Sequence, residues 1–355
     1  MTDKKKLGQF YTTNYKYILK NMAIPQYVSK IIEPFCGKCD LIKFIGNASN
    51  YEIELYDIDP NNVSENNSSI VQDTLKNPPN YEGSFVLTNP PYLARNKSAD
   101  KSVFNLYGLN DLYKCFIKSI INNNPLGGIM IIPLNFISSI RKADVELRRD
   151  FLKHFKINII NIFEKPVFSD TTYSVCSIMF EKISDTTDTT ASNAITSYIY
   201  PGGTTIEITF NAANNYTIGG EIYKLPLSKD IKIERATRTT KKNMHITNML
   251  LKCIDDSATS KICLKIVSDS DKFIDKTPKL SARSYASIAI NKKITMETQQ
   301  LVVAEFNRYL NEQRTLYNSL FLTNYRNNNR KRISFELAFN IINYICNTFG
   351  NHNDS

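Results

Sequence analysis

In the first half of the chain, short apolar runs are each followed within two residues by an acid or an amide. Buried strands of a parallel sheet have this form, because both faces are covered and polar residues come only where the strand ends. The carboxyl ends of parallel strands meet at one edge of a sheet, so we expect these polar side chains to lie close together. The four predicted strands end at or near Glu33, Asp57, Asp73 and Asn89.

Helical spacing of apolar residues appears between these strands and again near the carboxyl terminus. Helices are predicted over 22–32, 41–45, 111–121, 141–155, 298–309 and 335–349. Further strands are predicted over 127–136, 157–163, 174–181 and 206–210. The alternation of strands and helices in the first half predicts a doubly wound α/β sheet.

A polar, low-complexity stretch at 184–194 predicts a linker or exposed loop, and the periodicity changes beyond it. We therefore predict two domains, 1–185 and 186–355. The charge is divided unevenly between them. The first half carries 22 Lys and Arg against 19 Asp and Glu, and the second carries 22 against 15, within a net charge of +10. A basic second half favours a polyanionic partner such as nucleic acid.

The seven cysteines are odd in number and scattered, which is not typical of a disulfide framework and favours a reducing compartment. Cys36 and Cys39 form one C-x-x-C pair, but no second Cys or His pair follows at zinc spacing, so no metal is expected. No apolar run is long enough to cross a bilayer. We expect a cytoplasmic protein without a membrane partner.

The residue types at Asn89-Pro90-Pro91-Tyr92 suggest a specific chemistry. Neither proline can donate to a sheet ladder, so the chain stops rigidly at the end of a strand. The Asn89 amide oxygen and the Pro90 carbonyl can together accept two hydrogen bonds from an exocyclic amine, and Tyr92 can stack on the ring that carries it. This set suits an adenine flipped out of a duplex. By itself it also fits a Pro-Pro turn with Asn89 as a turn residue.

Two upstream segments fit a nucleoside pocket. Glu33 to Gly37 is a strand end followed by a glycine turn, which lets the backbone approach a ligand. Asp57 comes about 20 residues after that turn, where an acid suits the two hydroxyls of a ribose.

As an ordered set, these motifs resemble the gamma class of adenine-N6 DNA methyltransferases, which use S-adenosylmethionine (SAM). The resemblance covers roughly residues 7–182. It implies a Rossmann-like SAM methyltransferase sheet, followed by a carboxyl-terminal α+β target-recognition domain. The segments that carry it are Gln9 to Thr12, Glu33 to Gly37, Tyr56 to Pro60, Gln72 to Leu75 and Asn89 to Tyr92.

The resemblance also implies roles for single residues. Asp57 would bind the ribose of SAM, Asp73 its adenine amino group, and Phe168 would lie near the flipped base. Cys39 departs from the family, which usually has a second glycine there. The residues expected at the methionine end of SAM and in its loop are Tyr11, Thr12, Glu33, Phe35 and Gly37.

In the second half, arginines stand out as candidate DNA contacts. Arg235 and Arg238 belong to a basic cluster with Lys241 and Lys242, and Arg326 and Arg330 lie in a segment rich in Arg and Asn. Such side chains suit phosphates and base edges. A solvated loop would have the same composition.

We therefore expect methylation of adenine N6 in double-stranded DNA, within a short palindrome such as CATG or GATC. The chain would be the genetic partner of a cognate restriction endonuclease in a bacterium or a large DNA virus. Methylation of RNA adenine, or of glutamine N5 in a protein, stays open because it uses a similar planar amine. A DNA-binding subunit without catalysis is a third alternative.

Overall fold

The computed structural model describes residues 8, 12–62, 69–168, 173–184, 194–274, 284–324 and 330–353. These residues divide into two compact units, 1–212 and 213–355. Within the described ranges, no helix is both long enough and apolar enough to cross a membrane. All seven cysteines lie in these ranges, and none of them forms a disulfide.

A nine-stranded sheet forms the first unit, in the order β3-β2-β1-β4-β5-β7-β6-β8-β9. The strands from β3 to β5 pair in parallel, while β7 runs antiparallel to both β5 and β6. The predicted doubly wound α/β fold is confirmed by this order. The strands are β1 Lys30–Glu33, β2 Glu52–Asp57, β3 Ile70–Val71, β4 Phe85–Thr88, β5 Gly127–Pro133, β6 Phe155–Phe163, β7 Val175–Lys182, β8 Ile195–Tyr200 and β9 Thr204–Ile208.

The helices predicted for this unit are found only in part, and the strand predicted over 127–136 ends at Pro133, before a short helix. The segment 22–32, predicted as a helix, contains turns and then β1, because Pro25 interrupts the helical spacing. The predicted helix after the glycine turn is a 3₁₀ helix, Leu41–Phe44. The α-helices of this unit are α1 Tyr15–Ile18, α2 Ser102–Tyr107, α3 Leu112–Asn123, α4 Asn135–Ser138 and α5 Lys142–His154, and its other 3₁₀ helices are Ala48–Asn50, Pro60–Asn62 and Arg95–Lys97.

Close backbone packing requires glycine at the start of β5. A Cβ atom on Gly127 would lie 2.5 Å from the Phe180 carbonyl oxygen, and one on Gly128 would lie 2.5 Å from that of Val86. Phe180 also contacts Phe151 and Phe155, at ring-centroid distances of 5.2 and 5.1 Å. This packing fixes β5 beside β4, and so positions the residues that follow β4.

The two units divide after residue 212, not near residue 185 as predicted. The reason is strand pairing, since β8 pairs in parallel with β6 and β9 pairs with β8. The polar stretch at 184–194 therefore connects two strands of one sheet. The predicted boundary rested on the change of periodicity beyond this stretch. That change did not show that residues 195–208 complete the first sheet.

The second unit contains a four-stranded antiparallel sheet, in the order β10-β13-β11-β12, and a two-stranded sheet. The helices α6 and α7, predicted over parts of their length, pack on an apolar core with Phe306 and Ile341. The side-chain oxygen of Thr295 caps α6 by accepting a hydrogen bond from the Thr298 N–H. The elements are β10 Ile233–Arg235, β11 His245–Lys252, β12 Cys263–Ile266, β13 Tyr285–Ile290, α6 Met296–Leu316, β14 Thr323–Asn324, β15 Lys331–Arg332 and α7 Phe335–Asn353, with 3₁₀ helices at Gly220–Lys224 and Asp269–Asp271.

Candidate active site

A cleft opens at the carboxyl ends of β1, β2 and β4. The strand order reverses between β1 and β4, and ligands of open α/β sheets bind at such a switch point. Every residue that lines the cleft lies between Thr12 and Leu112, within the first unit. The predicted residues that line it are Thr12, Glu33, Phe35, Gly37, Asp57, Asp73, Asn89 and Pro91.

The turn after β1 is tied to the end of β2. The Cys36 N–H donates to the Tyr56 carbonyl at 2.8 Å, and the Gly37 N–H donates to Asp57 Oδ2 at 2.8 Å. Gly37 has φ +51°, a conformation that glycine adopts without strain. These bonds place the turn's backbone at the cleft wall.

Cys39 takes the backbone conformation that a glycine would favour. Its φ is +57°, and its N–H donates to the Cys36 carbonyl at 2.7 Å. The cysteine at this position therefore keeps a glycine-type turn. A hydrogen bond to Cys39, together with burial, raises the pKa of the Cys36 thiol. That thiol stays protonated near neutral pH and is a poor nucleophile.

The Asp57 carboxylate holds the loop as well as lining the cleft. Beyond Gly37, its Oδ1 accepts hydrogen bonds from the Asp59 N–H at 2.7 Å and from Asn62 Nδ2 at 3.2 Å. A carboxylate has about four acceptor positions, so room remains for a hydroxyl donor. Asp73 is similarly shared, because its Oδ1 accepts from the N–H groups of Leu75 and Lys76, both at 3.2 Å.

Glu33 is the most unusual acid of the cleft. Its side chain is only 1% exposed, and its Oε2 atom has no hydrogen-bond partner among the described residues. Burial, followed by the nearby Cys39, Asp40 and Asp57, raises the pKa of Glu33 well above its usual range. A buried acceptor without a partner is costly. A cationic ligand group beside Glu33 would remove that cost.

Asn89 connects the cleft to the amino-terminal arm. Its Nδ2 donates to Thr12 Oγ1 at 3.1 Å, which orients the amide and leaves Oδ1 on the other side. The same arm contacts the tetrapeptide again, since the Tyr92 N–H donates to the Gly8 carbonyl at 2.9 Å. A Cβ atom on Gly8 would lie 2.8 Å from the Tyr92 carbonyl oxygen, so the arm approaches closely only with glycine there.

Tyr92 lies beneath the cleft and does not line it. Its ring is 2% exposed and makes edge contacts with Tyr113 and Tyr173, at centroid distances of 6.3 and 5.8 Å. Its hydroxyl lies 2.6 Å from Asn89 Oδ1 and 2.7 Å from the Ile131 carbonyl oxygen. The hydroxyl has one proton, so these two acceptors compete for it. Burial raises the pKa of Tyr92, which keeps that proton in place.

Pro90 and Phe168, two other predicted site residues, are buried and do not line the cleft. The predicted contacts in the second unit differ in their surroundings. The Arg235 guanidinium lies between the rings of Phe273 and Phe335, 5.5 and 5.6 Å from their centroids. Arg330 lies 3.8 Å from Asp256, whereas Arg238 is exposed. Tyr11 and Arg326 lie outside the described residues.

An apolar wall of the cleft was missed from the sequence. Ile58, directly after Asp57, is 47% exposed and lines the cleft. The apolar residue directly after the ribose-type acid is the one sequence signal that could have revealed it. Four further apolar lining residues come from the segment around α2, whose approach depends on tertiary packing: Leu93, Val103, Phe104 and Leu112.

These groups fit the parts of a sulfonium nucleoside such as SAM. The acid at Asp57 and the acceptor at Asp73 suit a ribose and an adenine amine, and Ile58 offers apolar area for a base. The partnerless oxygen of Glu33 suits an ammonium group. Among the described residues, no group of His, Cys, Asp and Glu has the arrangement of a metal site.

Residues 39–168 match the sequence profile of the Eco57I restriction-modification methylase family. The match begins at Cys39 and includes Asp57, Asp73 and the tetrapeptide, though it covers well under half of the chain. It confirms the predicted resemblance to restriction-modification methylases. The methyl donor of these enzymes is SAM. No curated protein matches the chain.

Several solved structures resemble the chain distantly. A modification subunit of a putative type I restriction enzyme from Vibrio vulnificus YJ016 is 16% identical, with TM-score 0.41, over 54% of this chain and 47% of that one. A putative class I SAM-dependent methyltransferase from Listeria monocytogenes is 13% identical, with TM-score 0.38, over 52% and 61%. A type I methyltransferase subunit from Streptococcus thermophilus is 14% identical, with TM-score 0.40, over 55% and 48%. The matched region thus spans about half to three fifths of these proteins.

Proposed function

We propose that the chain is a DNA methyltransferase that moves the methyl group of SAM to adenine N6. The observation that carries this proposal is the position of Asn89. Its amide lies at the wall of a cleft suited to SAM, at the switch point of the sheet, and Thr12 orients it. The match of residues 39–168 to restriction-modification methylases supports DNA as the substrate.

Asn89 and Pro90 would act on the amine that is methylated. The lone pair of an adenine amine is delocalised into the ring, so the amine is a weak nucleophile. Acceptors at Asn89 Oδ1 and the Pro90 carbonyl would draw it toward tetrahedral geometry and stabilise the positive charge that develops. SAM, when bound, supplies a methyl group already activated on a sulfonium and keeps the S–C bonding pair as a neutral thioether, while the methylated amine loses its extra proton to water. Alignment of the two reactants accounts for much of the remaining acceleration.

The Tyr92 hydroxyl would yield its place to the target amine. In the structure it lies 2.6 Å from the Asn89 oxygen that the amine needs. The Ile131 carbonyl, at 2.7 Å, can keep the phenolic proton, so Asn89 Oδ1 is released without loss of a hydrogen bond. Stacking of a base on Tyr92 would instead require the buried ring to turn into the cleft, which would break its bond to Ile131.

Thr12 would act as a positioning residue. Because it accepts from Asn89 Nδ2, it holds the amide with its oxygen toward the amine. Methylation of glutamine N5 could use the same tetrapeptide, but the match to restriction-modification methylases favours DNA.

Transfer of labelled methyl from SAM to unmethylated DNA, followed by nucleoside analysis, tests the proposal. We expect N6-methyladenine with the wild type, and a loss of at least about 100-fold with Asn89→Ala, since one donor or acceptor in a polar catalytic site is worth about that much. Asn77→Ala, at an exposed asparagine that does not line the cleft, is the matched control. Label in RNA or protein, and none in DNA, would refute the proposal.

A further inference from the structure

We infer that one end of the sheet in the second unit binds the phosphate backbone of duplex DNA. This inference rests on the proposed function and names a surface for it. We call the surface the basic edge. It consists of Lys232, Lys241, Lys242, Lys292 and Lys293, all exposed.

Strand pairing brings the basic edge together. The three neighbouring strands β10, β13 and β11 share one end, because Ile290 pairs with both Ile233 and His245. Lys232 directly precedes β10, and its backbone exchanges hydrogen bonds with Asn291, which directly follows β13. Lys292 and Lys293 come next in the chain.

The loop between β10 and β11 returns Lys241 and Lys242 to this end, because β11 starts at His245, which pairs with Ile290. It has to cross β13, because β10 and β11 flank that strand. A turn closed by the Met244 N–H and the Lys241 carbonyl, at 3.0 Å, lies immediately before β11 and contains Lys241 and Lys242. Neighbouring strands lie about 4.8 Å apart, so three strand ends span about 10 Å. Several phosphates of a duplex fall within that length.

The cations of the basic edge differ from others in the same unit. Among the described residues, none of its five side chains forms an ion pair. Elsewhere Lys252 pairs with Asp256 at 2.7 Å, and Arg314 with Asp255 at 2.6 Å. The acids nearest in the chain are the exposed Asp230 and Glu297 and the half-buried Glu234, which leaves an excess of positive charge.

The structure thereby changes which basic residues are expected at DNA. Arg235 was a predicted contact, but its guanidinium packs between two phenylalanine rings and serves the fold. Arg330 lies near Asp256. They are replaced as expected DNA contacts by Lys232, Lys292 and Lys293, which the sequence pattern did not link.

The test compares salt dependence of binding in the full chain. Fluorescence anisotropy with an unmethylated 30-base-pair duplex measures affinity from low to moderate salt. Lys292→Gln/Lys293→Gln should lower the slope of log affinity against log salt by about 0.9 for each lost phosphate contact, and weaken binding about 8-fold for each contact at 0.1 M salt. Lys232→Gln should lower the slope by the amount expected for one lost phosphate contact.

A matched control lies at β12, an outer strand of the same sheet. Lys261 and Lys265, at β12, are exposed and form no ion pair with a described residue. Lys261→Gln/Lys265→Gln removes the same charge, and we expect an unchanged slope apart from general screening. Exposed substitutions of this kind rarely alter stability by more than about 0.5 kcal/mol, which thermal unfolding checks.

The outcomes separate this inference from the proposed function. If the wild type methylates DNA but both double variants change the slope equally, the basic edge is not the binding surface and the function stands. If the wild type neither binds nor methylates duplex DNA, both fail. A preference for RNA of the same length at equal salt would overturn the choice of duplex DNA as the partner.

Discussion

Replacing Glu33 by glutamine is expected to change stability and cofactor binding in opposite directions. The side chain is buried at the cleft wall, Oε2 has no partner among the described residues, and burial with three nearby acidic groups raises its pKa. Glutamine keeps the shape and cannot ionise. The variant therefore separates the charge of this residue from its packing.

The stability effect has a definite sign. The folded-state pKa of Glu33 is above its ordinary value of 4.5, so the folded protein binds more protons than the unfolded chain at pH values between the two. Stability of the wild type accordingly falls as the pH rises through this window, by at most about 1.4 kcal/mol per pH unit from this group. The stability of Glu33→Gln should not show this dependence on pH. At neutral pH, the variant should be more stable than the wild type.

The binding effect has the opposite sign. In the proposed complex, the ammonium group of SAM lies beside Glu33, and a hydrogen bond between charged groups contributes about 1.5–3 kcal/mol. Losing it should weaken SAM binding by about 10- to 150-fold. SAM binding to the wild type should also release protons, because a cation lowers the pKa of Glu33. Calorimetry in buffers of different ionisation enthalpy measures both quantities.

Glu82→Gln, at an exposed glutamate before β4, is the matched control and should change neither property. Urea unfolding at several pH values provides the stability comparison. If Glu33→Gln binds SAM as tightly as the wild type, Glu33 does not contact the cofactor. A variant that is both weaker in binding and less stable would show a purely structural role instead.

Two further predictions concern stability. Cys39→Gly should leave the free energy of unfolding within about 1 kcal/mol of the wild type, because relief of the positive φ offsets the loss of the thiol. Cys39→Val should destabilise the protein by about 1–2 kcal/mol or more. Equal losses of stability for the two variants in chemical denaturation would contradict the turn assignment. Lys114 and Asp144 form an ion pair with side chains only 8% and 7% exposed, and Ser139 also donates to Asp144. Lys114→Met should lower the free energy of unfolding by about 3–5 kcal/mol, because it leaves a buried charge without its partner. The double variant Lys114→Met/Asp144→Leu should lower it much less. Similar urea midpoints for the two variants would argue against this ion pair.

The sequence alone determined the class of fold and the acids of the cleft. Short apolar runs ending in Glu33, Asp57 and Asn89 carry this information locally, since a strand needs buried residues and its end is where polar groups return. The role of the tetrapeptide in ending a strand could also be inferred locally, because two consecutive prolines end a strand in any tertiary surroundings. The catalytic roles of these residues stay predictions.

The tertiary structure decided what depends on pairing between distant segments. Only strand pairing placed residues 195–208 in the first sheet, and only packing buried Tyr92 beneath the cleft and brought Thr12 to Asn89. The conformation of Cys39 also came from its surroundings. In the second unit, Arg235 was drawn between two aromatic rings, while lysines 60 residues apart in the chain met at one sheet end. Such contacts form between residues far apart in sequence, so local composition and periodicity carry no record of them.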